Sequence, residues 1–302
     1  MDKMISITES DNENTSHIDR TSTLEAIRLI NNEDKLIAPA VEKVRPEIAA
    51  AIDRIVEGLQ NGGRLFYIGT GTSGRIGVLD AAEIPPTFGV SYDLVQGIIA
   101  GGYDALYKAS EASEDETEAG ANDLKERGLM ERDAVVGLAA SGRTPYTIGA
   151  VEYAGQIGCF TACITCVPDS AITKVVDIAI VPVVGPEAIT GSTRMKAGTA
   201  QKMVLNMIST VAMIRLGYVK GNRMTNMTSS NIKLKDRSLR ILMAETGLDE
   251  TRAGDLLDKA GQDLRVALVT ARTGQTPEAA LGLLCKTDFI VDKAVTLADD
   301  LR

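Results

Sequence analysis

The segment Gly69-Thr70-Gly71-Thr72-Ser73-Gly74-Arg75 combines closely spaced glycines, hydroxyls and a cation. Glycines let a backbone fold tightly, and amides at a helix start then point at an anion, so this composition suits a terminal phosphate. The same spacing fits a dinucleotide cradle, which needs an acidic residue at the end of the next strand, and it also fits a bare turn that binds nothing. That next strand ends Ile99-Ala100-Gly101-Gly102, with no acid. A second loop, Ala140-Ser141-Gly142-Arg143-Thr144-Pro145-Tyr146, repeats the chemistry, and its proline suits a first helical turn. A third, Gly191-Ser192-Thr193-Arg194-Met195-Lys196, does so again. Three such clusters in an acidic chain read as a focused anion pocket. Its candidate residues are Gly71, Thr72, Ser73, Gly74, Ser141, Gly142, Thr144, Ser192 and Thr193. Three carboxylates stand near these loops and could move protons. Glu83 precedes Ile84-Pro85-Pro86 at the expected end of a helix, where the dipole disfavours negative charge. Glu114 lies in an acidic run after the second strand. From composition alone such a run is usually a solvated helix start. Glu187 sits in Val184-Gly185-Pro186-Glu187.

Other chemistries have few residues to draw on. The chain holds a single histidine, His17, in a polar N-terminal stretch, so a multi-histidine metal site is impossible. Of four cysteines, Cys163 and Cys166 form a CxxC, but the pattern lies in an apolar strand and not at a helix start. We read them as buried, reduced thiols. No metal and no redox cofactor is expected. There is no tryptophan, and aromatic residues are 4% of the chain, so base stacking has few candidates. The net charge of −9 argues against nucleic acid and anionic membrane as partners. No apolar run approaches the roughly 18–20 residues of a membrane helix, and no secretory h-region is visible, which makes the cytoplasm the expected compartment.

The elements that must carry these loops follow from the apolar pattern. Runs of about six residues at 64–69, 94–100, 134–139, 159–165 and 177–182 are apolar without alternation. Helix-length segments separate them, so the expected fold is α/β: a doubly wound parallel sheet of about five strands. In such a sheet ligands sit at the carboxyl ends of the strands, which is where the anion-binding loops fall. Ser22-Thr23-Leu24-Glu25 has capping-box spacing and opens a first helix. Ile37, Val41, Val44, Ile48, Ile52, Ile55 and Leu59 form one helical stripe, broken or kinked by Pro39 and Pro46. Lys196–Leu216 reads as a long helix with Met203, Val204, Met207, Ile208, Val211 and Ile214 inward. Short helices punctuated by Gly247, Gly261 and Gly274 follow. The expected organisation is an N-terminal segment with helices at 1–60, its first 20 residues loosely ordered, an α/β domain at 61–234 and a small helical domain at 235–302.

Taken together, GTGTSGRIGVLDAAEIPPTFG (69–89), AASGRTPY (139–146) and VVGPEAITGSTRMKAGTAQKMVLNM (183–207) closely resemble the N-acetylmuramic acid 6-phosphate etherases. These are sugar isomerase (SIS) domain proteins related to the glucokinase regulatory protein. The resemblance implies cleavage of a D-lactyl ether at C3 of a sugar phosphate, with Glu83 and Glu114 as the acid/base pair. It implies sugar-phosphate contacts from Thr72, Ser73, Ser141, Thr144, Ser192 and Thr193, and no cofactor. Glu83 is the better acid and Glu114 the better base. The C-terminal helices resemble, loosely, a ubiquitin-associated-like bundle. The family's Arg-Asn-Pro near the N-terminus is Asp11-Asn12-Glu13 here, so no N-terminal residue is carried over to the site. A homodimer is the expected assembly, both from the resemblance and because the long apolar helix and the 37–59 stripe need cover. The competing readings are an SIS-domain aldose–ketose isomerase and a non-catalytic sugar-phosphate regulator.

Overall fold

The computed structural model describes residues 6–108, 114–226 and 232–301. The chain packs as two units. One comprises Met1–Ala82 and Tyr92–Ala212, the other Glu83–Ser91 and Met213–Arg302.

The first unit begins with three short 3-10 turns, Ile7–Glu9, Glu13–Thr15 and Ile18–Arg20. Helices α1 (Thr23–Asp34), α2 (Ile37–Glu42) and α3 (Arg45–Gln60) follow. Ser22 caps α1 by accepting the Glu25 amide at 3.3 Å, as the capping-box spacing requires. Pro46 lies in the first turn of α3, where a missing N–H costs nothing, so the chain breaks before it. Ile48, Ile52, Ile55 and Leu59 are buried on α3, which packs on the far strands of the sheet. The 37–59 stripe is therefore largely covered within the chain, and it no longer argues for a second copy.

Strands β1 (Leu65–Gly69), β2 (Val95–Ile99), β3 (Ala134–Leu138), β4 (Phe160–Ile164) and β5 (Ile178–Ile180) form one sheet in the order β2-β1-β3-β4-β5. Every pairing is parallel. The sequence order reverses about β1, which makes the carboxyl ends of β1 and β3 the switch point of a doubly wound sheet. Helices α4 (Gly71–Phe88), α5 (Thr117–Glu126), α6 (Pro145–Ile157) and α7 (Lys196–Leu216) complete the succession. β1, β3 and β4 are buried along their whole length, as unalternating apolar runs demand.

Three expectations are corrected. The 6–20 segment is not loose: Thr8, Asn12 and Thr15 are buried. Asn12 donates to the Pro186 carbonyl at 3.1 Å and Thr15 to the Ala188 carbonyl at 2.8 Å. Helix α4 does not end at Glu83 but runs through Pro85 and Pro86 to Phe88, so Glu83 stands before the last turn. On α7 the covered positions include Lys196, Ala197, Ala200, Gln201, Val204, Leu205, Ile208, Ser209, Ala212 and Met213, whereas Ile214 is 44% exposed. Buried Gln201 and Ser209 belong to this face because each has a polar partner on it.

The second unit holds a short hairpin, β6 (Val219–Lys220) and β7 (Arg223–Met224), then α8 (Ile232–Thr246), α9 (Glu250–Lys259), α10 (Leu264–Thr273), α11 (Pro277–Cys285) and α12 (Val291–Asp300). Leu242, Leu257, Leu264, Leu268, Leu284 and Ala294 share one buried core there. Among the described residues no helix is long and apolar enough to cross a membrane.

Candidate active site

A cavity of about 200 Å³ opens at the carboxyl ends of β1 and β3. Its lining is Glu9, Thr70, Gly71, Thr72, Ser73, Glu114, Ala139, Ala140, Ser141, Thr144 and Thr193. Residues from five separate segments meet there.

The first loop leaves β1 and turns directly into α4. Gly71 adopts φ +49°, a conformation that L side chains rarely take. The first intrahelical bond runs from the Gly74 amide to the Thr70 carbonyl at 2.9 Å, so the amides of Gly71, Thr72 and Ser73 have no helical acceptor. Ser73 directs its proton to Gln201 Oε1 at 2.8 Å, and Gln201 in turn donates to the Ile164 carbonyl at 3.3 Å. That hydroxyl can accept from a ligand but is already spent as a donor. Gly74 lies behind the cavity, where a Cβ would meet the Gly69 carbonyl oxygen at 2.6 Å. Its part is to let α4 approach β1.

The second loop is braced from below. Cys166 donates its amide to the Ala140 carbonyl at 2.9 Å, and Ile172 to the Gly142 carbonyl at 3.0 Å. Gly142 has φ +66°, and a Cβ there would collide with Ser170 Oγ at 2.0 Å. It shapes the turn and does not line the cavity. Ser141 and Thr144 do, at the N-terminus of α6.

Glu114 is tied into the same corner. Its carbonyl accepts the Tyr146 amide of the first α6 turn at 3.1 Å. Its carboxylate reaches over the first loop, with Oε1 3.3 Å from where a Cβ of Gly71 would stand. The start of α4 thus borders the carboxylate, while the first turn of α6 holds the backbone carbonyl.

The third cluster is divided. Thr193 lines the cavity; Ser192 does not. Glu187, 1% exposed, is committed elsewhere. Its carboxylate accepts the Lys196 amide at 2.8 Å and the Ala197 amide at 2.9 Å, filling the anion position at the start of α7 with a protein group. Lys196, also 1% exposed, bonds Glu33 at 2.6 Å, and Asn14 donates to the same carboxylate at 3.0 Å. Burial raises the Glu33 pKa, but hydrogen bonds from Lys196, Asn14 and Asn12 and the Lys196 charge outweigh it and hold the group below its ordinary value. The loops behind the cavity are therefore anchored by buried charge.

Glu83 is exposed and does not line this cavity. It lies twelve residues along α4 from Gly71, about 18 Å of helical rise. Glu9 is the cavity residue that the sequence does not announce. It stands at the end of a 3-10 turn with no apolar periodicity around it, so no local signal marks it. Of the cysteines, Cys159, Cys163 and Cys166 are buried and Cys285 is exposed. Burial pushes the Cys163 and Cys166 thiols up to about 12, Cys166 also through the charge of Glu187. His17 is exposed.

A five-stranded parallel sheet with helices on both faces is the architecture of the SIS class, and over residues 47–155 the chain matches the glucokinase regulatory protein N-terminal SIS domain. A solved structure of a phosphoheptose isomerase from Francisella tularensis covers 64% of this chain and 98% of its own, at 15% identity and a TM-score of 0.44. Sequence relatives are much nearer. The N-acetylmuramic acid 6-phosphate etherase of Clostridium botulinum (strain Okra / Type B1) is 51% identical over 295 residues, 98% of this chain and 97% of that protein. The protein of the same name from Symbiobacterium thermophilum is 54% identical over 268 residues, 89% of each chain. This chain belongs to the N-acetylmuramic acid 6-phosphate etherase family.

Proposed function

We propose that the protein cleaves the D-lactyl ether of N-acetylmuramic acid 6-phosphate, giving N-acetylglucosamine 6-phosphate and D-lactate, in the cytoplasmic recycling of cell-wall amino sugars. One observation carries the reading: a carboxylate, Glu114, shares a small cavity with the hydroxyls and helix-start amides that suit a phosphate. The 6-phosphate rests on the first turns of α4 and α6, beside Thr72, Ser141, Thr144 and Thr193. In the open-chain sugar the C1 aldehyde makes the C2 proton removable. Glu114 takes that proton, and the electron pair of the C–H bond forms the C2–C3 double bond. The C3–O bond breaks, and the departing oxygen takes a proton from Glu83. Water then adds at C3 and a proton returns to C2, so one water is consumed per ether cleaved.

Within one chain Glu83 stands along α4 from the cavity, and the reading has it supplied by a second copy in a homodimer. Leu24 and Ile27 on α1 are 78% and 58% exposed, one turn apart, and Leu36 is 50% exposed. These are unpartnered apolar groups of the kind a two-fold interface covers. The test is D-lactate release from N-acetylmuramic acid 6-phosphate by the purified protein. Ketose formation from an aldose phosphate with no lactate released, or binding without turnover, would overturn the reading.

A further inference from the structure

We propose that Glu9 is a substrate-contacting, specificity-determining residue that accepts hydrogen bonds from hydroxyl groups of the bound sugar. This rests on the reading of the cavity as a sugar-phosphate site.

The cavity contains two carboxylates, Glu114 and Glu9, brought by separate segments of the chain. Glu9 is held in place by an ordered segment. Its amide donates to the Ser6 carbonyl at 2.8 Å, closing the turn. Asp11 accepts from Thr190 Oγ1 at 2.9 Å, Asn12 donates to the Pro186 carbonyl at 3.1 Å, and Thr15 donates to the Ala188 carbonyl at 2.8 Å. The last three of these bonds run to the loop that leads to Thr193. A Cβ on Gly191 would stand 3.3 Å from Glu9 Oε2, so the carboxylate lies against that loop at the cavity's edge. The segment thus presents Glu9 at a fixed place, with its ordering cost already met by bonds elsewhere.

Charge then decides what Glu9 can face. A carboxylate repels a phosphate and equally the carboxylate of a lactyl group. It accepts but does not donate when ionised, so its partners are neutral O–H or N–H donors. The phosphate belongs at the helix starts, on Thr72, Ser141, Thr144 and Thr193. The sugar's neutral donors, its hydroxyls and one acetamido N–H, are what remains for Glu9, and the hydroxyls are the more numerous. A charged acceptor on a hydroxyl is a strong bond, and a site built on it discriminates sharply against ligands that lack the hydroxyl.

The experiment is titration calorimetry with two probes, N-acetylglucosamine 6-phosphate and inorganic phosphate, on wild type, Glu9→Ala and Glu9→Gln. Glu9→Ala is expected to weaken sugar-phosphate binding about 10- to 100-fold, the range for losing a bond to a charged group. Inorganic phosphate should bind it as well as wild type or better, because a repelling charge is gone. Glu9→Gln keeps the size and an acceptor oxygen, so it should fall between, and it serves if the alanine variant folds poorly. Parallel weakening of both probes in both variants would mean that the segment merely holds the loop, and would overturn the proposal. So would unchanged sugar-phosphate binding in Glu9→Ala with wild-type preference intact. If wild type itself does not prefer the sugar phosphate to phosphate, the underlying reading falls and Glu9's role with it. Neither arm depends on lactate release, so loss of the etherase reaction and loss of this proposal are distinguishable.

Discussion

Glu114 is held through its backbone: its carbonyl is pinned by the α6 amide of Tyr146 while its carboxylate lies over Gly71. A neutral amide of the same shape would keep that position and lose the proton transfer. Glu114→Gln is therefore expected to lower the rate of D-lactate release about 100-fold or more, with affinity for N-acetylglucosamine 6-phosphate little changed. Steady-state lactate assays alongside binding titrations check this, and near-wild-type turnover would remove Glu114 from the mechanism. The cysteines make a second residue-scale case. Cys163 and Cys166 hold their protons up to about 12 and Cys159 up to about 11, chiefly through burial. A thiol must ionise and be reached before it is alkylated. In native protein at pH 8, mass spectrometry after brief iodoacetamide treatment should find Cys285 labelled and the other three spared. Early labelling of Cys163 would contradict its burial.

At the scale of elements, most of the α/β unit was legible because its signals are local. Unalternating apolar runs marked all five strands to within a residue or two, and the long helix at Lys196–Leu216 has the bounds expected of it. What was hidden depends on distant partners. The 6–20 segment reads as polar and loose, yet its order comes from carbonyls of Pro186 and Ala188, more than 170 residues away. Strands β6 and β7, two residues each, are too short to show alternation. Six candidates line the cavity: Thr72, Ser73, Ser141 and Thr144 stand out in the loops that follow β1 and β3, Thr193 in the hydroxyl cluster before the long helix, and Glu114 in its acidic run. Glu9 does not stand out, and nothing local foretold that Glu187 would cap α7. The face between α4 and α7 hid another feature, the buried carboxyl of Asp80, which accepts from Asn206 at 2.7 Å and Ser209 at 3.2 Å. Burial raises its pKa above 3.8, against the hydrogen bonds and the Lys202 charge that lower it. The folded protein therefore keeps this proton where the unfolded chain has lost it. The stabilisation from Asp80 is complete below about pH 3.8 and is lost as pH rises through the folded value. Asp80→Asn mimics the protonated form and can still accept both bonds. Its melting midpoint should gain on wild type as pH goes from 4 to 8; a pH-independent difference would show that the charge is not what burial penalises.

At the scale of the whole molecule, one helix carries both a cavity and a glutamate that the cavity lacks. Gly71 opens α4 in the site, and Glu83 follows about three turns later. A helix cannot fold back on itself, so if Glu83 is the acid it is delivered to another chain's cavity. A two-fold axis does this reciprocally, each copy giving its Glu83 and receiving its partner's. That geometry has a signature no monomer can imitate. Glu83→Gln and Glu114→Gln homodimers are both expected to be inactive. When the two are mixed and allowed to exchange subunits, half of the dimers are mixed. In each mixed dimer one cavity receives both intact glutamates and the other receives neither. Activity should therefore return to about a quarter of wild type at equal mixing, as the two-fold arrangement dictates. The measurement is lactate release after co-refolding, with a tag on one variant to isolate mixed dimers, which alone should reach about half of wild type by the same reasoning. Mixed dimers that stay inactive would place Glu83 and Glu114 in service of the same chain, and the shared site would be wrong.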